Sequence, residues 1–188
     1  MKLNWGERYY DHFTKFLGPV RSRAVYRQSI DSPDVQILEY DNVFDGCRVF
    51  TSFGLSHYSD QIGQICEVMV PVDSGWENVS NILANTLFYM IQQDICMSRS
   101  AAVSGVDAIC HEFAQKYGKH ALYFTDPFGL PEEFRRVQSS NDCGSVYLGI
   151  FISQFEYNFL LREGFELFEE LLETSNVDPY NISRRSIV

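Results

Sequence analysis

Residues 35–71 read VQILEYDNVFDGCRVFTSFGLSHYSDQIGQICEVMVP, and this stretch decides the fold class. Val35–Tyr40 alternates partly and is rich in β-formers. Asp41-Asn42 and Asp45-Gly46 then supply turn chemistry. Arg48–Phe53 reads as a second strand, interrupted at Gly54-Leu55-Ser56. Ile65–Val70 reads as a third, ended by Pro71. Three short β-rich runs separated by turns predict an antiparallel meander.

Beyond the meander the period changes. Ser74 and Glu77 have capping-box spacing. Val79, Ile82, Leu83, Thr86, Leu87, Met90 and Ile91 then fall on one helical face. This predicts a helix over 76–96, the longest element, covering one face of the sheet. Residues 97–119 stay ambiguous: Asp107–Tyr117 suits a short helix, and the chain around Gly105 suits irregular structure. Ala121–Thr125 reads as a strand ending at Asp126-Pro127, followed by a polar loop through Asp142. Val146–Ile152 is apolar on both faces, as a central strand is. Helices are predicted over 154–162 and 165–173, broken at Gly164, and an extended tail over 176–188. On the other side of the meander, Trp5, Tyr9, Phe13 and Phe16 make one apolar face of a helix over 5–17, stopped by Gly18-Pro19. Runs of strands separated by runs of helices mean α+β: a central mixed or mainly antiparallel sheet flanked by helices.

The 188 residues suit one domain, with 45% apolar and 15% aromatic residues to build its core. No linker, repeat or low-complexity tract divides them. The net charge of −10 has the wrong sign for neutralising phosphates, so direct nucleic-acid binding and docking on anionic membranes are disfavoured. Either the acidity serves solubility, or it speeds encounter with a basic protein. The first residues lack the apolar core of a signal peptide, and no run approaches the ~18 apolar residues of a membrane span. Cys47, Cys66, Cys96, Cys110 and Cys143 are odd in number and well separated, as in reduced, mostly buried thiols of a cytoplasmic protein.

Catalytic signals are weak. Phosphate-loop, dinucleotide, zinc-protease and nucleophile-elbow motifs are missing. Gly54-Leu55-Ser56 lacks the second glycine of an elbow and reads as a turn or bulge. Cys110 and His111 adjoin, but neighbouring side chains usually point apart. His12, His57, His111 and His120 show no metal-ligand spacing, and Glu132-Glu133 before Arg135-Arg136 reads as solvated charge. No catalytic residue, metal ligand or cofactor is expected.

Charge is least even near the C-terminus. From Glu156 to Asp178 there are seven acidic residues and one basic, Arg162. On the helix from Phe165, the apolar Phe165, Phe168, Leu171 and Leu172 can face inward and the glutamates mostly outward. Glu163, Glu166, Glu169, Glu170 and Glu173 are the candidate partner-binding residues, read either as an ordinary solvated face or as an acidic docking surface.

The run VQILEY (35–40), the turn FGLSHY (53–58) and the strand EVMVP (67–71) together resemble the core of the suppressor-of-fused-like family. Farther on, HALYFTDPF (120–128) is similar to that family's H-x-L-F-x-x-P-F segment. IFISQFEY (150–157) is similar to its strand-to-helix junction, with Phe151 in place of the usual proline. RSIV (185–188) resembles the ending of bacterial members. The resemblance covers about residues 33–188 and implies an α+β fold. It also implies that Gly54, Ser56, Glu67, Pro127 and Arg185 serve sheet and turn architecture.

Small bacterial members of the family resemble immunity proteins, or antitoxins, of polymorphic toxin systems. The resemblance therefore implies a protein that binds and neutralises a cognate toxin, a basic nuclease domain, in the producing cell's cytoplasm. The alternative it implies is a non-catalytic adaptor that sequesters a regulatory protein, as animal members restrain a transcription factor. An enzyme using Cys110 or His111 is the third reading.

Overall fold

The computed structural model describes residues 5–73, 75–139 and 142–188. In chain order the elements are α1 (Trp5–Leu17), β1 (Ser22–Tyr26), β2 (Val35–Asp41), β3 (Arg48–Phe53), α2 (Ser59–Ile62), β4 (Cys66–Val72), α3 (Val79–Gln92) and β5 (Ala102–Ser104). They continue with α4 (Val106–Ile109), α5 (His111–Tyr117), β6 (Ala121–Thr125), β7 (Arg136–Gln138), β8 (Cys143–Ile152), α6 (Gln154–Glu163) and α7 (Phe165–Thr174). Single 3-10 turns cover Leu55–Tyr58 and Glu132–Arg135.

The sheet order is β1-β2-β3-β4-β8-β6-β5, with β7 also paired to β8. β1 to β4 form the expected antiparallel meander. β4 and β8 are parallel, because the chain crosses over through α3 to α5 and β6 before β8 enters. Ser145 pairs with both Cys66 and Arg136, and Leu148 with both Met69 and Thr125. β8 is therefore flanked on both edges along its middle, and its 146–152 half is the central strand its two-faced apolarity predicts.

Alternation along the strands sends side chains to two separate cores. Val35, Ile37, Val68 and Val70 meet Ile82, Leu83, Leu87 and Met90 of α3, with Phe113 of α5. Leu38, Tyr40, Met69, Leu148 and Ile150 meet Tyr9 and Phe13 of α1, Leu160 of α6 and Phe168 of α7. Each fully buried Leu, Ile, Phe or Met contributes roughly 1.5–3 kcal/mol before the entropy of ordering it. The result is helices on both faces of a mostly antiparallel sheet. α1 is seated closely: the Tyr9 hydroxyl donates to the Ser145 carbonyl at 2.9 Å. A Cβ at Gly144 would lie 2.3 Å from that hydroxyl, so the strand carries glycine there.

Several expectations are adjusted. The long helix spans 79–92 and not 76–96. Trp76 is held off the helix by edge contacts with Phe113 and Tyr117, at 6.0 and 5.9 Å between ring centroids. Asp94, with φ 48°, turns the chain away at the other end. The capping box proposed for Ser74 lies outside the described residues. Pro71 does not end its strand. It pairs with Val49 beyond the last residue that β8 matches, where a missing N–H is tolerated. The ambiguous region resolves into β5, α4 and α5, and the polar loop contains the short β7. Of the five cysteines, Cys47 and Cys66 are buried, but Cys96 and Cys143 are exposed and Cys110 is half-buried. Among the described residues no helix is long and apolar enough to cross a membrane.

Candidate functional site

α6 and α7 form the acidic region singled out by charge. Ser153 caps α6: its hydroxyl accepts from the Glu156 N–H at 3.1 Å, and Glu156 accepts from the Ser153 N–H at 2.7 Å. Glu156 is fully buried. Arg184, from the C-terminal tail, pairs with both of its oxygens, and the Ile187 N–H donates at 3.2 Å. Burial pushes the Glu156 carboxyl up, but the Arg184 hydrogen bonds and charge outweigh it and hold the group below its ordinary value. Gly164, with φ 91°, breaks the helix, and α7 then lays Phe168 into the core.

Four of the five candidate carboxylates face solvent: Glu163, Glu166, Glu170 and Glu173. Glu163 is paired with Arg162 at 2.5 Å. Glu169 is a correction to the outward row, because it turns toward the sheet. It accepts from the Tyr123 hydroxyl at 2.8 Å, from Thr125, and from Arg99. Its carboxyl is raised by burial yet held below its ordinary value by those donors. Glu169 is thus a tie between α7 and β6. It borders a cleft of about 590 Å³ whose floor includes Tyr123, Asp126 and Arg135. Arg99 and Arg135 converge on Asp126 there, Arg99 at 3.6 Å.

The other sequence candidates are architectural. Gly54, with φ 103°, opens the turn, and a Cβ there would meet the Asp34 carbonyl at 2.5 Å. Buried Glu67 gathers the turn around itself. It accepts from the N–H groups of Gly54, Leu55 and Ser56 at 2.9, 3.2 and 3.1 Å, and from the Ser52 hydroxyl at 2.6 Å. Burial pushes the Glu67 carboxyl up while these donors pull it back. Ser56 is 5% exposed, unlike the hydroxyl of a presented nucleophile. The half-buried Cys110 packs against the core on the α3 side, while the adjacent His111 is solvent-exposed on the first residue of α5. Glu132 and Glu133 are exposed on their 3-10 turn. Among the described residues no group of three or more His, Cys, Asp or Glu is placed to hold a metal ion.

The family model of the suppressor of fused protein matches residues 31–185. The chain belongs to the suppressor of fused family. Immunity protein YqcF of Bacillus subtilis (strain 168) is 21% identical to it over 153 residues, covering 79% of this chain and 78% of its own. The suppressor of fused homologue of Neisseria gonorrhoeae FA 1090 superposes with a TM-score of 0.76 at 15% identity, over 98% of this chain and 97% of that one. A chain of the Sufu–Fu complex superposes with a TM-score of 0.67 at 12% identity, over 97% and 91% of the two chains. These likenesses establish the suppressor of fused fold.

Within this suppressor of fused fold one expected arginine is misplaced by a residue. Arg185 is exposed, whereas Arg184 is buried against Glu156. The buried positions Ile182 and Arg184 alternate with exposed Ser183 and Arg185. Period two, counted from the apolar Ile182, points to Arg184 as the inward residue.

Proposed function

We propose that this chain is an immunity protein: it binds a cognate toxin, a basic nuclease domain, in the cytoplasm of the producing cell and neutralises it. The likeness to an immunity protein over four-fifths of the chain carries the reading. The charge supports it. A protein of net charge −10 attracts a cationic domain at long range and so speeds their encounter. The outward carboxylates Glu163, Glu166, Glu170 and Glu173 concentrate that field on α7 and the end of α6. On this reading the protein acts by occlusion and performs no chemistry.

Co-expression tests the proposal. Cells carrying the toxin gene encoded beside this one survive when the chain is expressed with it, and the two purified proteins form a complex. An absence of both rescue and complex rejects the toxin. Recovery instead of an endogenous regulator, with no linked toxin gene, would favour the sequestering adaptor.

A further inference from the structure

Helices that dock on a core normally turn carboxylates out and aromatics in. α6 keeps to this with Leu160, Tyr157 and Phe159, which pack on the core, and departs from it elsewhere. Its Glu156 is fully buried, while Phe155 is 72% and Leu161 67% exposed. Phe155, Phe159 and Arg162 follow at four- and three-residue spacing along one stripe, and the Arg162 guanidinium lies 5.7 Å from the Phe159 ring centroid. Leu161 lies six residues after Phe155, about 120° away around the helix at the other edge of its exposed face, and Leu167 is 41% exposed on α7. Arg184 accounts for the inward Glu156. Packing within the chain does not account for the outward Phe155 and Leu161. Where a local rule is broken at no benefit to the fold, function is the usual reason. Aromatic and arginine side chains are also the residues that hold the centres of interfaces.

We propose that the exposed face of α6, bordered by Phe155 and Leu161, is the anchor of the toxin-binding surface. This rests on the immunity reading above and assigns it a place. The occupant is a basic protein domain offering an apolar pocket rimmed by Lys or Arg. Charge complementarity selects it, because exposed Glu166 and Glu170 come next in the chain on α7, beyond Glu163, which pairs with Arg162. The two kinds of residue divide the work. Carboxylates set the rate of association, and the desolvated apolar anchors set the rate of dissociation.

The experiment measures association and dissociation rates of the full chain with the toxin domain encoded by the neighbouring gene. It compares wild type, the double variant Phe155→Ala/Leu161→Ala, the single variant Phe155→Lys, and Glu166→Gln/Glu170→Gln. The α6 double variant dissociates about 100-fold faster, with association within about 3-fold and an unchanged melting temperature. Phe155→Lys loses binding at the same melting temperature. The glutamine pair associates more slowly and dissociates as wild type does. Wild type that binds and protects, beside an α6 double variant with unaltered dissociation, overturns the anchor and leaves the immunity reading standing. Wild type that neither binds nor protects overturns the immunity reading and this surface with it. A melting temperature more than about 5 °C lower in both α6 variants makes Phe155 a packing residue and overturns the anchor as well.

Discussion

The Tyr123 hydroxyl donates a 2.8 Å hydrogen bond to Oε1 of Glu169, across 46 residues of sequence. Together with Thr125 and Arg99 it turns one glutamate of an acidic helix into a structural tie. The carboxylates of α7 therefore sit in two environments, one tied to the sheet and the others in solvent. Glu169→Gln removes the charge that Arg99 faces and weakens three hydrogen bonds, at a cost of about 1–2 kcal/mol in chemical denaturation. Glu166→Gln and Glu170→Gln, on exposed positions, stay within about 0.5 kcal/mol of wild type. Association with a basic partner reverses the order, with the two exposed positions mattering more than Glu169.

Glu156 and Arg184 form a pair with both side chains almost entirely out of solvent. Removing one partner leaves a buried charge, so Glu156→Gln or Arg184→Met costs about 3–5 kcal/mol. Arg185→Ala costs less than about 0.5 kcal/mol, because Arg185 is exposed. The pH dependence follows from the carboxyl being held below its ordinary value in the fold. Its stabilisation is complete above the unfolded-chain value and disappears as pH falls through the folded one. The gap between wild type and Glu156→Gln, measured by urea denaturation, narrows as pH drops below about 4.

Lys119 is 1% exposed and donates to the Arg184 carbonyl at 3.0 Å. Burial, and then the nearby Arg184 charge, bring its ammonium down to about 8. The unfolded chain binds this proton more strongly, so the Lys119 contribution to stability rises with pH from about 8 to about 10, at no more than about 1.4 kcal/mol per pH unit. Comparison with Lys119→Met isolates it: wild type gains on the variant across that window. A constant difference would show that Lys119 does not titrate there.

Glu67 holds the 54–56 turn by accepting four hydrogen bonds with its two oxygens. An amide at this position turns N–H toward N–H or hydroxyl donors. Glu67→Gln therefore loses about 2–3 kcal/mol, measured by thermal or urea unfolding. Both ends of the relationship lie in the meander, so the loss appears in the exchange protection of β3 and β4 before that of α7.

Much of this fold was legible locally. Period and turn chemistry alone mark α1, β2, β3, β8, α6 and α7 to within a few residues. β1 was not legible, because Ser22–Tyr26 is an edge strand with a half-exposed, arginine-bearing pattern. β5 and β7 have three residues each, too few to show a period. The candidate surface divides in the same way. Outward Glu166, Glu170 and Glu173 follow from helical spacing. The inward turn of Glu169 depends on Tyr123 and Thr125, and the burial of Glu156 depends on Arg184, 28 residues on. Such long-range polar partners leave no mark on the local pattern.

The most direct test of the central claim is the rate at which this chain associates with the neighbouring toxin domain as salt is raised from about 50 to about 500 mM. The account predicts a tight complex whose association slows about tenfold or more, while dissociation stays within about twofold. No complex at low salt, or an association rate indifferent to salt, would contradict it.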